Sequence, residues 1–351
     1  MKQFLFILFS FLAFSSSSAQ EGIPVYFDYL SDNYYLVHPS MAGVGEGGKI
    51  RLTARKQWFS VDEAPSLQTL NMHYRVGESS GVGGIIFNDA NGYHSQTGLK
   101  LTYAHHLRFS RDVRNLNQLS FGLSTTILLS SLDETEFRSV VPDPAITGIK
   151  NTASYYNIDL GMSYNFMEFY AHATIQNVLG TERSLYRRGR LDPDNVLVMD
   201  RLRRYLLSVG YVFGKGDWQI EPSILFQMSD FSKKEAEELG ATNFSQEKII
   251  DVNAKVYRDV SFGKVWAGLS YRRSFDGAQF QTTTDFGAQR LQLFTPIIGV
   301  NYNKFMFSYN YSYQSGDIRL DNGGFHQITL GYDFGQVTAD RYDCNCPAVN
   351  Y

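Results

Sequence analysis

Gly43, Gly45 and Gly48 stand at the spacing of a dinucleotide-binding loop, and Gly77-Glu78-Ser79-Ser80-Gly81 matches the nucleophile elbow of serine hydrolases letter for letter. Each pattern does chemistry only in one structural setting. The glycine loop must follow a strand and open a helix whose N–H groups meet the pyrophosphate, and the elbow must be a strand-to-helix turn that exposes its serine. Here a strand-like segment follows Gly48, and alternating segments flank the 77–81 motif on both sides, which makes the first a loop before a strand and the second a tight turn. His105 and His106 are adjacent, so on a strand they point to opposite faces and suit a wall or girdle better than one metal ion. Asp192, Asp194 and Asn195 supply oxygen ligands for calcium in an external loop but lack the glycine and distal glutamate of a dedicated site. Cys344 and Cys346 offer two of the four ligands of a structural zinc, and an oxidised, capped or partner-linked tail fits them equally well. The expectation is a protein that is not an enzyme, with no catalytic, cofactor-binding or metal residues and no cofactor. A lipid hydrolase acting through Ser79 is the remote alternative.

The elements that must position any site follow from composition and periodicity. The chain has 351 residues, 43% apolar and 19% charged, with a net charge of -3 and a mean hydropathy of -0.25. Its longest near-continuous apolar run, residues 4–14, is shorter than the roughly 18 residues of a spanning helix. An aromatic content of 15% is far from a disordered composition, and near-neutral charge leaves no footprint for a phosphate backbone, so nucleic acid is not an expected partner. Lys2, the apolar run and Ser17-Ser18-Ala19 have the order of a secretory signal peptide over residues 1–19. Gln20 follows where a lipoprotein would carry cysteine. Two cysteines close together near the far end form no disulfide framework.

From residue 49 onward, apolar residues recur on every second position. The clearest set is Leu119, Phe121, Leu123, Thr125, Ile127 and Leu129, opposed by Gln118, Ser120, Gly122, Ser124 and Thr126. Such period-two segments are strands with two different faces. Counting a weaker glycine-rich one at 82–87, there are about fourteen, each about ten residues long. Their connections alternate as well. Short links lie near 77–80, 165–167, 214–217, 258–263 and 301–304, with an intermediate one near 108–116. Long links lie near 130–153, 178–201, 229–247, 274–290 and 314–323, although two early links on that side are short. A helix-like acidic stretch at 233–238 reads as part of a solvated loop.

An exported chain without spanning helices crosses a membrane only as a closed barrel, because an open edge leaves unpaired amides in lipid. The fold class expected is therefore all-β: a transmembrane outer-membrane β-barrel of about 14 antiparallel strands, with short periplasmic turns, long extracellular loops and aromatic girdles. A soluble sandwich or propeller also alternates, but no linker divides the chain and no blade-length repeat is present. The organisation expected is a signal peptide at 1–19, a periplasmic or plug segment at 20–48, the barrel at 49–334 and a tail at 335–351 with Cys344 and Cys346. The location expected is the cell outer membrane.

Arg55-Lys56-Gln57-Trp58 followed by Ala64-Pro65 resembles the RQQW and AP signature of the PorP/SprF family, outer-membrane proteins of type IX secretion and gliding motility in Bacteroidetes. Glu221-Pro222-Ser223, the stretch from Val265 to Arg272, the closing stretch from Phe325 to Tyr332 and the tail pair Cys346-Pro347 also resemble the family. The likeness spans nearly the whole mature chain. It departs at Lys56 and at His38-Pro39-Ser40-Met41-Ala42-Gly43, which stands where the family has an NPA-x-AG box. The resemblance implies a barrel that anchors or partners a secreted cell-surface protein through that protein's C-terminal domain, periplasmic type IX secretion components, or both, in contact with outer-membrane lipid. Arg55, Gln57, Trp58, Ala64 and Pro65 are the motif residues and candidate partner-binding positions. A passive outer-membrane channel or hydrophobic-solute transporter is the alternative.

Overall fold

The computed structural model describes residues 30–57, 64–112, 114–137, 148–179, 203–214, 216–230, 248–281, 286–315 and 324–335, together with Cys344 and Val349. The strands are β1 (Gly48–Gln57), β2 (Ser66–Val76), β3 (Ser80–Asn91), β4 (His94–Arg108), β5 (Asn117–Asp133), β6 (Lys150–Phe166) and β7 (Phe169–Gln176). They continue as β8 (Arg203–Tyr211), β9 (Trp218–Asp230), β10 (Lys248–Val260), β11 (Gly263–Gln281), β12 (Phe286–Tyr302), β13 (Phe305–Ser315) and β14 (Gly324–Phe334). Each pairs antiparallel with its sequence neighbours, and β1 closes the ring on β14 in a register running from Gly48 opposite Phe334 to Gln57 opposite Phe325. Closure leaves no strand edge to meet lipid, as a membrane-spanning sheet requires.

Alternation sorts the two faces. On β5, Phe121, Leu123 and Ile127 point outward and are exposed, while Gln118, Ser120 and Ser124 are buried in the interior. The same division holds on β2, with Leu70, Met72 and Tyr74 outside and Thr69, Asn71 and His73 inside. Exposed leucines and isoleucines on nearly every strand make one apolar band around the barrel, the inverse of a soluble protein. Aromatic pairs edge it on the short-turn rim: Tyr74 stacks on Phe334 at 5.7 Å, Tyr211 meets Phe213 at 4.5 Å and Phe305 meets Tyr332 at 5.2 Å. Toward the other rim, Tyr271 lies 4.8 Å from Phe294. These are the expected girdles.

Leu123 sits in that band, 49% exposed and opposite Leu160. Leu123→Arg is expected to destabilise the folded barrel by about 2–4 kcal/mol, the cost of a cation near the bilayer midplane. The check is denaturant unfolding in lipid vesicles, with Ser124→Arg on the neighbouring inner face failing to reproduce the lipid-thickness dependence of the effect.

The short connections at 77–79, 167–168, 261–262 and 303–304 lie on one rim. Gly77, Met167 and Asn303 adopt left-handed backbone there (φ 69°, 50° and 52°), which lets two antiparallel strands reverse in so few residues. The structure departs from expectation at 274–290. That stretch is not one long loop. β11 continues to Gln281 past a bulge between Arg273 and Gly277, and β12 starts at Phe286, so the pairing resumes with Gly277 opposite Arg290. The bulge leaves three residues of β11 opposite one of β12, and the sequence from 276 to 285 has a single large apolar residue, Phe280, too few for the period-two signal that marks a strand. The weak segment at 82–87 proves to be the middle of β3, a full strand of 12 residues. The predicted signal peptide, the 233–238 stretch and the Asp192, Asp194 and Asn195 group lie outside the described residues.

Candidate functional site

A barrel of 14 strands encloses more space than its own inward side chains fill, since about eight strands is where side chains suffice. The periplasmic half of this lumen is filled by the chain's own residues 30–47. Two short 3-10 turns, Tyr34–Leu36 and Pro39–Met41, fold this segment compactly, with every residue from Asn33 to Gly45 buried. Pro39 at the start of the second turn presets its backbone, and the chain then reverses at Gly43 (φ 64°) to reach β1.

The wall meets this plug with groups matched to it. His38 spans two strands, Nδ1 lying 2.8 Å from Thr174 Oγ1 on β7 and Nε2 2.7 Å from Ser208 Oγ on β8. Tyr35 donates to Thr102 Oγ1 on β4 at 2.9 Å, and Ser40 Oγ lies 2.5 Å from Ser163 Oγ on β6. The Gly43 N–H donates to His73 Nδ1, while Arg75 donates to the Gly43 and Val44 carbonyls at 3.1 and 3.2 Å. His106 Nε2 lies 3.0 Å from the Ala42 carbonyl and its Nδ1 2.8 Å from Ser120 Oγ. Backbone polar groups that would be orphaned in a lumen thus find side-chain partners, as buried polar groups must.

Where the plug backbone comes closest, the wall carries glycine. A Cβ on Gly81 would strike the Ala42 carbonyl, one on Gly122 would strike the Ser40 amide and the Pro39 carbonyl, and one on Gly161 would come within 2.8 Å of Pro39 Cγ. Leu30, Leu36, Val37, Met41 and Val44 belong to one buried cluster with inward Ile85, Leu206, Leu225, Trp266, Ile297 and Met306. Cys344, which is disulfide-bonded, and Val349 join the same cluster, so the tail packs against the plug, and Gly45 abuts Val349. Cys346 lies outside the described residues.

An ionic cluster also joins plug and wall. Glu221 on β9 accepts from Tyr34 of the plug at 2.9 Å, from Tyr257 of β10 at 2.5 Å and from Tyr170 of β7, with Lys255 Nζ 3.0 Å from its other side. Lys255 also forms an ion pair with Asp32 of the plug, and Tyr257 lies 2.9 Å from the same carboxylate. Burial is the main cause that pushes the Tyr34 phenol well above its usual range, and the Glu221 charge adds to it, so the hydroxyl stays a donor.

Burial likewise pushes the His38 imidazole well below its ordinary value, and His172, with ring centroids 4.9 Å apart, acts in the same direction. The seated form is neutral while the released form binds a proton below pH about 6.5. Seating is therefore independent of pH above that value and weakens as pH falls below it. Protease access to the N-terminal segment in the detergent-solubilised protein is expected to rise on acidification from pH 7.5 to 5 and, with His38→Gln, to show a shallower dependence.

The motif residues lie at the opposite end of β1. Arg55 points inward with its guanidinium 3.9 Å over the Phe325 ring of β14. The Gln57 N–H donates to the Pro65 carbonyl at 2.9 Å, and Ala64 is buried beside it. The structure thus gathers Arg55, Gln57, Ala64 and Pro65 at the long-loop mouth of β1, β2 and β14, while Trp58 lies outside the described residues. Gly43, Gly45 and Gly48 serve the plug and its exit, residues 77–79 form a plain turn, and His105 and His106 face opposite sides as expected. Among the described residues no group of histidine, cysteine and carboxylates is arranged to hold a metal. Asp32, Glu221 and Lys255 went unnoticed as a group. The available signal was charge at strand positions facing away from the apolar set, as in Asp251-x-Asn253-x-Lys255-x-Tyr257.

The sequence matches the model of a family described as the type IX secretion system membrane protein PorP/SprF over residues 18–332. The chain belongs to that family. Among solved structures, the barrel is similar to a TodX monoaromatic hydrocarbon channel mutant, at 8% identity and a TM-score of 0.49 over 87% of this chain and 94% of that one. It is also similar to the CymD monoaromatic hydrocarbon channel, at 12% identity and a TM-score of 0.47 over 90% and 96%. The OmpF structure from Salmonella typhi in complex with daunomycin matches at 8% identity and a TM-score of 0.37 over 82% and 96%. No curated protein matches by sequence. Family membership and the closed membrane-spanning barrel place this PorP/SprF protein in the outer membrane.

Proposed function

We propose that this PorP/SprF barrel works as an anchor, holding a secreted cell-surface protein or periplasmic type IX secretion components at the outer membrane and catalysing no reaction. The observation that carries this reading is the filled lumen. Residues 30–47 bond to or abut inward positions on every strand from β2 to β10, so the barrel offers partners its rims rather than a passage. On the outer rim the cluster of Arg55, Gln57, Ala64 and Pro65 lies at the connection between β1 and β2 and offers a secreted protein a docking surface. On the inner rim plug and tail pack together and face the periplasmic components.

Deleting the gene is expected to strip at least one exported protein from the cell surface while leaving small-solute permeability unchanged. Affinity purification of the intact barrel from gently solubilised outer membrane should then retain that protein or periplasmic secretion components in stoichiometric amount. A deletion strain with altered solute uptake and an unchanged surface proteome would instead support a passive channel.

A further inference from the structure

We propose that residues 30–47 are a separable stopper rather than an integral part of the wall, so that this barrel contains a latent aqueous pore which its own N-terminal segment keeps shut. The wall is electrostatically complete without the stopper. Lys255 lies between two carboxylates, Asp32 from the stopper and Glu221 from β9, and loses only the first when the stopper leaves. Four further lumen ion pairs are wall to wall: Arg51 with Asp333 at 2.6 Å, Lys100 with Asp159 at 2.6 Å, Arg272 with Asp251 at 2.6 Å and Lys264 with Asp259 at 3.4 Å. Withdrawal therefore leaves these wall pairs intact, and Arg75, which gives up the Gly43 and Val44 carbonyls, keeps its bond to the Glu78 carbonyl.

The polar wall is equally suited to water. His73, His106, Thr174 and Ser208, which now bond the stopper, are side chains that water satisfies as readily. Farther out, the inward Asn71 and Thr69 carry polar groups without a protein partner. A ring of 14 strands is wide enough to hold a water column once the filler is gone. What keeps the stopper in place is the inward apolar patch of Ile85, Leu206, Leu225, Ile297 and Met306, which would otherwise face that water, together with the glycine seats at Gly81, Gly122 and Gly161. The resting state is closed, and opening exchanges one set of polar partners for solvent.

The test is single-channel recording in planar lipid bilayers, comparing the full-length mature protein with a variant in which residues 31–45 are replaced by a short Gly-Ser linker. The full-length protein should be silent or open rarely, and the variant should conduct steadily, with mean current at least tenfold higher. A full-length protein that conducts as freely as the variant would overturn the proposal. So would a variant that folds as a heat-modifiable barrel yet stays silent. Should the deletion fail to fold, full-length Asp32→Arg carries the same test, because it sets a second cation against Lys255. In that background the Ser40→Cys, Ser163→Cys pair should suppress openings on oxidation and restore them on reduction. A folded Asp32→Arg barrel that never opens would count against the stopper as surely as a silent deletion.

Discussion

Glu221→Ala lowers the unfolding free energy of the barrel by about 3–5 kcal/mol, the cost of breaking a buried ionic cluster from one side. The carboxylate is almost wholly enclosed and accepts hydrogen bonds from Tyr34, Tyr170 and Tyr257 while facing Lys255. Three phenols and an ammonium lose their common acceptor at once, and Asp32 alone reaches only Lys255 and Tyr257. Glu221→Gln keeps one acceptor oxygen and is expected to fall between wild type and Glu221→Ala. The measurement is urea unfolding of the protein reconstituted in vesicles, followed by tryptophan fluorescence. An unchanged midpoint for Glu221→Ala would mean that water replaces the carboxylate without penalty and that the cluster does not hold the plug.

Gly122→Val is expected to unseat residues 30–47 while leaving the barrel intact, an effect of about 3 kcal/mol or more on plug docking, at the upper end of what overpacking a filled interior costs. The added Cβ would meet the Ser40 amide and the Pro39 carbonyl, both backbone atoms, so no rotamer relieves the overlap. Gly84→Ala on β3 is the control, since its Cβ meets nothing closer than 3.8 Å. The readout is disulfide formation between Ser40→Cys and Ser163→Cys, whose hydroxyl oxygens lie 2.5 Å apart. Cross-linking should be near complete with Gly122 or Gly84→Ala and nearly lost with Gly122→Val. Equal cross-linking in all three would show that the plug shifts to accommodate the larger side chain.

Both effects bear on the proposed anchor. A wide ring of strands held only by its ladder would leave inward apolar side chains such as Ile85, Leu225 and Met306 in water. Burying them under residues 30–47 converts the periplasmic half of the barrel into a solid body, and a load applied at either rim then acts on one packed unit. In the proposed anchor a partner would load the loops above this body, and the plug would share the strain with the wall through His38, Asp32 and Arg75.

The number of strands, their antiparallel order and the sorting of faces were legible in the sequence because lipid and lumen impose a strict period of two, seen most clearly along β5. The aromatic girdles and the short-turn rim were legible for the same reason, as was membership of the PorP/SprF family from Arg55-Lys56-Gln57-Trp58 and Ala64-Pro65. The continuation of β11 and β12 through 274–290 was not, because the sequence from 276 to 285 has too few apolar residues to show the period on which strand recognition depends. Only the tertiary structure decided where residues 30–47 lie. Their bonds to Thr102, Ser163, Thr174, Ser208 and Glu221 join positions 67 to 187 residues apart. Barrel closure creates those meetings, and nothing local in the chain encodes them. The wall glycines show the same limit: Gly81, Gly122 and Gly161 read as weak strand residues until the plug backbone that occupies their missing side chains is in view.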